Sequence, residues 1–539
     1  MGNFDKNNRR YWIGGAWPYA NNSLHVGHLA ALLPGDVIAR YGRLAGYDVI
    51  YVSGTDCHGT PITERAKREK CTPESIAEKY HAEFTRDFND LLFTYDRYSA
   101  TFTDYHKDEV KKIFKKIYEN GYLYEQLEDQ DYCETCGQFL ADRELEGECP
   151  SCHKVTRGDQ CEHCTATFDA KELTNKHCRT CHNPTVVRQN KHLVFKLSAF
   201  QDKISQFAAD NEKNWRWNAV NETKKYLTQG LPDRVATRDL SWGVEVPFEG
   251  YDDKRIYVWL EAVLGYCTMC KYVCEEKGMD YESFISDKGD IHAYFIHGKD
   301  NIPFHTVIFP ALLAAISDDI QLPTHIVSSE YMNMNDEKMS KSKGNIISVH
   351  SLAEKYPADA IRFYTILFNP ERRDANFAIP EMIQTYNKFL VGGFGNFVNR
   401  NLSFLKKKFD SVVPEGTVDP EIKAYVEGLY ESIGNKIDAG ELRSAAEEMV
   451  TVIQYANKYY DESKPCVAAK EDAELFGNIT ASCIYLMANM ANLFNPLIPQ
   501  GTEILAKMLG ITPEWKPVEM PKTFTLGEIE MLYKRIDEE

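Results

Sequence analysis

The sequence predicts an α/β chain built on a doubly wound parallel sheet, interrupted by a small cysteine-rich module and followed by an all-α bundle. Three observations predict it. Short apolar runs ending in polar turns alternate with helical stretches at the start of the chain and again between residues 255 and 331. Strands that alternate with helices form parallel sheets, whose ligand sites open at the carboxyl edge. Four C-x2-C pairs fall between Cys133 and Cys181, in a segment with too few aliphatic residues to build a core. From about residue 385 onward, apolar residues recur three and four apart, the period of an antiparallel helical bundle.

At 539 residues the chain has room for about two to four domains. Its hydrophobic share of 43% and charged share of 26% are those of a globular protein. A formal charge of −18 excludes a wholly basic nucleic-acid binder, although a local basic face can still hold RNA. No apolar run reaches membrane-spanning length; the longest clear one, residues 307–316 (VIFPALLAAI), contains Pro310. The polar start, MGNFDKNNRRYW, lacks the apolar core of a signal peptide, and Gly2 is not followed by the Ser or Thr that myristoylation wants. The expected compartment is the cytoplasm, where 15 cysteines read as metal ligands and buried thiols, not disulfides.

In order, residues 11–16 (YWIGGA) predict a buried strand, 26–45 a helix and 47–53 (YDVIYVS) a second strand. That strand ends in the polar turn GTDCHGTP (54–61). Residues 74–94 and 104–120 predict helices. The cysteine pairs follow: Cys133/Cys136, Cys149/Cys152, Cys161/Cys164 and Cys178/Cys181. Four-thiolate zinc sites substitute for a core in such modules, and the neighbouring His153, His163, His177 and His182 are alternative ligands. The sheet pattern resumes with RIYVWLEAVLGY (255–266), residues 292–315 and THIVSSEY (324–331), so the module reads as an insertion. Cys267, Cys270 and Cys274 share one helical face and have no nearby fourth ligand, which favours a packed helix over an iron–sulfur site. The helical stretches 441–460 and 478–494 belong to the bundle, broken at DSVVPEGTVDPE and DESKPC. GGFGNF (392–397) follows no strand and is no dinucleotide fingerprint, and no Walker-type loop exists.

Two stretches carry the chemistry. His25-Val26-Gly27-His28 stands where a polar turn enters the first helix. An anion there meets free backbone N–H groups and the positive helix end; two histidines three apart reach it together, and Gly27 lets a flat ring approach the backbone. Residues 332–345 (MNMNDEKMSKSKGN) hold a cluster of lysines and serines in a polar loop suited to polyphosphate. Either stretch alone is weak: HxxH recurs by chance, and a Lys/Ser run is most often a solvated loop.

Together, in this order, they resemble the two signatures of class I aminoacyl-tRNA synthetases. PYANNSLHVGH, GTDCHGTPI, IYVWLEAVLGY, GKDNIPFH and KMSKSKGN resemble the stretches of methionyl-tRNA synthetases in that family's order. The resemblance implies a Rossmann-type catalytic domain (1–125 and 241–325) split by a zinc-bearing insertion (126–240). A connector carrying the KMSKS loop (326–385) and a helical anticodon-binding domain (386–539) follow. It implies activation of L-methionine with ATP to methionyl-adenylate and transfer to the terminal adenosine of tRNA(Met), initiator included, with Mg2+ accompanying the ATP.

Residue by residue, the resemblance assigns charge stabilisation to His25, His28, Lys338 and Lys341, with Gly27 at the ATP. It places Tyr19, Trp259, Ala262, Tyr266, Phe304 and His305 around the methionine side chain and pairs Asp56 with its ammonium. Arg238 and Asp300 match further active-site positions, and Asn396 and Arg400 match an anticodon-contacting pair. From spacing alone the aromatics read as core and the helix pair as a solvated face. For zinc, two ions are expected: an inner site of Cys149, Cys152, Cys161 and Cys164, and an outer one of Cys133, Cys136, Cys178 and Cys181. Sequential pairing of the four pairs is the alternative. The sequence departs from the family at Trp17 (leucine in many relatives), Val263 (proline) and Cys466, where the family has a tryptophan. About 115 residues separate the sheet halves, too few for the large editing domain of the leucine, isoleucine and valine enzymes. No membrane partner is expected, and without an appended tRNA-binding domain the expected state is a monomer. The rival reading is a non-catalytic tRNA-binding paralogue, against which intact His25, His28 and Lys341 count.

Overall fold

The computed structural model describes residues 8–140, 144–157, 161, 163–164, 172–334 and 347–537. β1 (Arg10–Gly15), β2 (Asp48–Thr55) and β3 (Arg97–Ala100) precede the insertion. Within the insertion lie β4 (Leu123–Cys133), β5 (Leu145–Glu148), β6 (Thr174–Cys178) and β7 (Val186–Phe195). β8 (Ile291–Gly298) and β9 (His325–Ser329) follow it. The central sheet has the order β9-β8-β1-β2-β3, all parallel, as the alternation predicts. Its inner strands are buried on both faces, which is why they read as continuous apolar runs. The two windings meet between β1 and β8, and at such a reversal a crevice opens outside the strand ends.

α1 (Val26–Leu44) links β1 to β2 and runs through Pro34. Proline has no N–H for the carbonyl four residues back, so the Ala30 carbonyl loses its helical donor. Asn369 Nδ2 at 2.8 Å and Ser329 Oγ at 3.4 Å supply it instead, and the defect becomes the joint that fastens α1 to the end of β9 and the connector. Two residues on from Pro34, the fully buried Asp36 accepts from Arg40 at 3.0 Å and pairs with Arg362 at 2.7 Å. Thr60–Glu69 forms a helix that the periodicity does not reveal, because only Ile62 and Ala66 of its residues are buried.

β4 and β7 pair antiparallel from Leu123↔Phe195 to Tyr132↔Val186, a long ribbon that carries the cysteine module away from the sheet. The chain then returns. Residues 197–240, placed in the insertion by the sequence reading, include Phe207 and Trp215, which share a core with Trp12 and Phe295 of the sheet. Arg216 is the joint here: it donates to Ser329 Oγ, Glu371 Oε1 and the Gly440 carbonyl at 3.1, 3.0 and 2.9 Å. Gly440 stands at φ +70°, and a Cβ there would meet Val327 at 3.0 Å, so any other residue would strain this turn of the bundle against β9.

α2 (Ala358–Leu367) lies within the connector, and beyond it the C-terminal part is helical, as predicted: α3 (Asn396–Phe409), α4 (Pro420–Asp438), α5 (Leu442–Ser463) and α6 (Ala473–Phe494). GGFGNF lies within helix, where Tyr386–Gly395 forms a π-helical stretch leading into α3. Cys267, Cys270 and Cys274 are buried on one helix, Gly265–Lys277. Among the described residues no helix is long and apolar enough to cross a membrane.

Candidate active site and cysteine module

A cavity of about 450 Å³ opens at the carboxyl edge, between the segments that leave β1, β2, β8 and β9. It brings together Tyr19, His25, Gly27, His28, Asp56, Trp259, Ala262, Tyr266, Asp300, Phe304 and His305. Arg238 is not in its lining; its guanidinium donates to the carbonyls of Val235 and Thr237, both at 2.9 Å, and lies 4.1 Å over the Tyr257 ring. Lys338 and Lys341 lie outside the described residues. The chain on either side is at the cavity: Asn333 lines it, and Ser348 forms a backbone bridge with His25.

The two histidines cap α1. The Gly27 N–H donates to His25 Nδ1 at 3.1 Å, and the His25 N–H donates to His28 Nδ1 at 3.2 Å. A ring nitrogen that accepts carries no proton, so each neutral imidazole keeps its proton on Nε2. The sequence reading assigned these side chains to an anion; the structure adds that backbone capping selects the tautomer. Their rings stand 4.0 Å apart, centre to centre.

The opposite wall is apolar. Trp259 stacks on Phe304 at 4.4 Å and meets Tyr19 edge-on at 6.0 Å. Phe304 and His305 sit on a π-turn, Phe304–Ile308, a geometry that re-aims side chains. His305 Nδ1–H donates to the Asn301 carbonyl at 2.9 Å, so Nε2 accepts from the Tyr266 hydroxyl at 2.8 Å. Burial lowers the His305 pKa to about 4, which keeps the ring neutral and the wall uncharged. Trp17 and Val263, the two departures from the family pattern, both line the cavity. The Trp17 indole fits a slot between two glycines: a Cβ would come within 2.4 Å of it from Gly54 and 2.5 Å from Gly265.

Under the cavity floor lies a network the sequence reading missed. Glu261 is fully buried and accepts from His58 Nδ1 at 2.6 Å and His106 Nε2 at 2.8 Å. Burial alone would push Glu261 up, but the two histidines outweigh it and hold its carboxyl below the usual range. Among the described residues, the Asp56 side chain accepts only from the His58 N–H, at 3.3 Å. Burial and then the nearby Glu261 push Asp56 well above the usual carboxylate range, so a bound cation is what would keep it ionised. Glu330 and Tyr331 were also missed; Tyr331 donates to Asp300 at 2.6 Å, and Glu330 pairs with Lys299 at 2.5 Å.

Residues 11–402 match the family described as "tRNA synthetases class I (M)", and residues 413–530 match "Anticodon binding domain of methionyl tRNA ligase". The chain is 45% identical over 527 residues to "Methionine--tRNA ligase 1" of Alkaliphilus oremlandii, spanning 98% of this chain and 97% of that protein. It is 44% identical over 530 residues to "Methionine--tRNA ligase" of Bacillus cereus, spanning 98% and 96%. The chain belongs to the methionyl-tRNA synthetase family. The fold agrees: the solved Mycobacterium tuberculosis methionyl-tRNA synthetase in complex with methionyl-adenylate superposes with a TM-score of 0.80, at 24% identity, over 98% of this chain and 100% of that one.

The insertion of this methionyl-tRNA synthetase family member holds two groups of four thiols, Cys133, Cys136, Cys178 and Cys181, and Cys149, Cys152, Cys161 and Cys164. The grouping is nested, not sequential. Sγ···Sγ separations are 3.4 Å for Cys133/Cys181, 3.8 Å for Cys136/Cys178, 3.8 Å for Cys149/Cys164 and 3.7 Å for Cys152/Cys161. A tetrahedron with Zn–S bonds of about 2.3 Å has edges of about 3.8 Å, whereas a disulfide needs about 2.05 Å. The donor set and its spacing therefore fit zinc.

In the bundle, Asn396 is exposed at the start of α3, and Arg400 lies one turn on. The Arg400 guanidinium lies 4.2 Å over the Tyr460 ring and donates from Nη1 to Asp461 at 2.9 Å. Its Nε and Nη2 are buried and have no hydrogen-bond partner among the described residues. Cys466 is exposed.

Proposed function

We propose that the cavity forms methionyl-adenylate from L-methionine and ATP, and that the methionyl group then passes to tRNA(Met). The observation that carries this reading is the convergence of the His25–His28 cap, Asp56 and the Trp259–Phe304 wall on one crevice. Asp56 takes the substrate ammonium, and that cation restores its carboxylate. The unbranched thioether lies against Trp259, Phe304, Ala262 and Tyr266; neutral His305 accepts from Tyr266, so no charge opposes an apolar side chain. The methionine carboxylate attacks the α-phosphate of ATP, a phosphorus–oxygen bond forms, and the bond to pyrophosphate breaks. Negative charge develops on phosphoryl oxygens, and the Nε2–H groups of His25 and His28, with the α1 terminus behind them, stabilise it. Lys338 and Lys341 supply further positive charge, and Mg2+ enters with ATP, held by phosphates and water. Pyrophosphate exchange measured with each of the twenty amino acids tests the reading: exchange is expected with methionine, and its absence would favour the non-catalytic paralogue.

Each cysteine tetrad holds one zinc ion and replaces a core where residues are too polar to build one. Metal analysis is expected to give two tightly held zinc ions per chain, and one per chain would contradict this. In the helical domain, Asn396 and Arg400 read the anticodon. Tyr460 already lies beneath the guanidinium, so the outer face of Arg400 can stack on a base where the family has a tryptophan. Arg400→Ala is expected to lower kcat/KM for tRNA about 10- to 100-fold, the scale of one lost stacking contact. Exchange should be unchanged, because activation needs no anticodon; unimpaired charging would remove the assignment. Cys466→Trp is expected to be tolerated.

A further inference from the structure

Outside both thiol groups, on the rim of the outer one, three more ligand-type side chains converge. Glu146 on β5 and His177 on β6 are cross-strand neighbours in register. His182 stands in the turn after Cys181, which the Cys178 N–H closes on the Asn183 carbonyl at 2.9 Å. One ligand atom from each of Glu146, His177 and His182 lies within 4.8 Å of the other two. We propose that they form a third metal site, for a divalent transition ion, with three protein ligands and the remaining positions open to water.

Three features carry the assignment. First, the donor set is two imidazoles and a carboxylate, which suits Zn2+, Ni2+, Co2+ and Cu2+ and not Mg2+ or Ca2+. Second, His177 Nε2 and Glu146 Oε2 stand 3.4 Å apart. That is the edge of a tetrahedron with metal–ligand bonds of about 2.0–2.2 Å, whose edges are about 3.3–3.6 Å. Third, His177 Nδ1 lies 3.2 Å from the Asn175 carbonyl. A carbonyl only accepts, so Nδ1 holds a proton, and Nε2 is the ring nitrogen left to face Glu146 and take a metal. A backbone carbonyl fixing the far nitrogen of a ligating histidine is the outer-shell arrangement of metal sites. The side chains of Glu146 and His177 are 25% and 28% exposed, so the ion exchanges with solvent, unlike zinc in the thiol groups.

The test compares the parent with His177→Gln/His182→Gln, both purified without a polyhistidine tag and dialysed against a mild chelator that leaves thiolate-bound zinc in place. On titration with Co2+, the parent is expected to bind one more equivalent than the double variant. That equivalent should lack the intense thiolate-to-cobalt absorption of a cysteine site. Equal uptake by parent and variant, or thiolate absorption in the added equivalent, would overturn the proposal. Glu146→Gln provides the check against misfolding: it is expected to keep the zinc of the parent and weaken the added equivalent at least about tenfold. Unchanged Co2+ affinity in that variant would also overturn it, as would a third equivalent that no titration of the parent detects.

Discussion

His28→Ala is expected to lower methionine-dependent pyrophosphate exchange about 100- to 1,000-fold, roughly 2.7–4 kcal/mol of transition-state stabilisation. The size follows from what the imidazole offers. With Nδ1 committed to the His25 N–H at 3.2 Å, the proton sits on Nε2 and needs no reorganisation when charge develops on the α-phosphate. Methionine affinity should change little, because the aromatic wall of Trp259 and Phe304 is built from other elements. The substitution also removes a helix cap, worth about 0.5–2 kcal/mol, so loss of structure must be separated from loss of chemistry. His28→Asn does so. Asparagine accepts from the His25 N–H as a cap, but it lacks a ring to extend to the phosphate. It is expected to melt with the parent and to exchange as slowly as His28→Ala. Parental exchange rates in both variants would remove His28 from the reaction.

The parts of this site legible in the sequence are those that local chain geometry makes. His25-Val26-Gly27-His28 and the GTDCHGTP turn directly follow β1 and β2, and in a parallel sheet the ends of strands are where ligand groups collect. The four C-x2-C pairs were legible for the same reason, since each pair fills two positions of a tetrahedron by itself. The nested joining of the pairs was expected with sequential pairing as the alternative, and the thiol groups of the structure are the nested ones. Glu261 was invisible: it sits mid-helix among apolar residues, and its partners His58 and His106 are 203 and 155 residues away. The aromatic wall came from resemblance alone, since Trp259, Ala262 and Tyr266 have the spacing of any buried helix face. Arg238 shows the converse, a matched position whose guanidinium lies against Tyr257 outside the cavity lining. The joints between parts were also out of reach, because the Ala30 carbonyl is freed by Pro34 but satisfied by Asn369, far along the chain.

The largest loss of stability is expected from Arg362→Met. Arg362 is fully buried on α2 and pairs with Asp36 of α1 at 2.7 Å. It also donates to the carbonyls of Leu497, Leu91 and Pro496 at 3.1, 3.0 and 2.9 Å, so one side chain ties the first sheet helix, the entry to β3 and the bundle together. Burial alone would raise the Asp36 pKa, but Arg362 first, then Arg40 and Thr94, outweigh it and hold the carboxyl below the usual range. Methionine keeps the volume and removes the charge. Asp36 then keeps only Arg40 and Thr94, and three buried carbonyls lose their donor. Breaking a buried pair from one side costs about 3–5 kcal/mol, most of it the cost of the stranded charge. The expected result is a marked fall in the thermal midpoint and in the denaturant needed for unfolding. The double variant Asp36→Asn/Arg362→Met isolates the charge: it is expected to be more stable than Arg362→Met alone, because the uncompensated carboxylate is gone. The pH dependence follows in sign. A carboxyl depressed in the folded state stabilises above its unfolded pKa of about 3.9, and that stability is lost as pH falls through the folded value. The parent should therefore lose this contribution in acid, and the gap between the parent and Arg362→Met should be widest near neutral pH. An equal gap at both ends of the range would show that Arg362 acts through packing, not through Asp36.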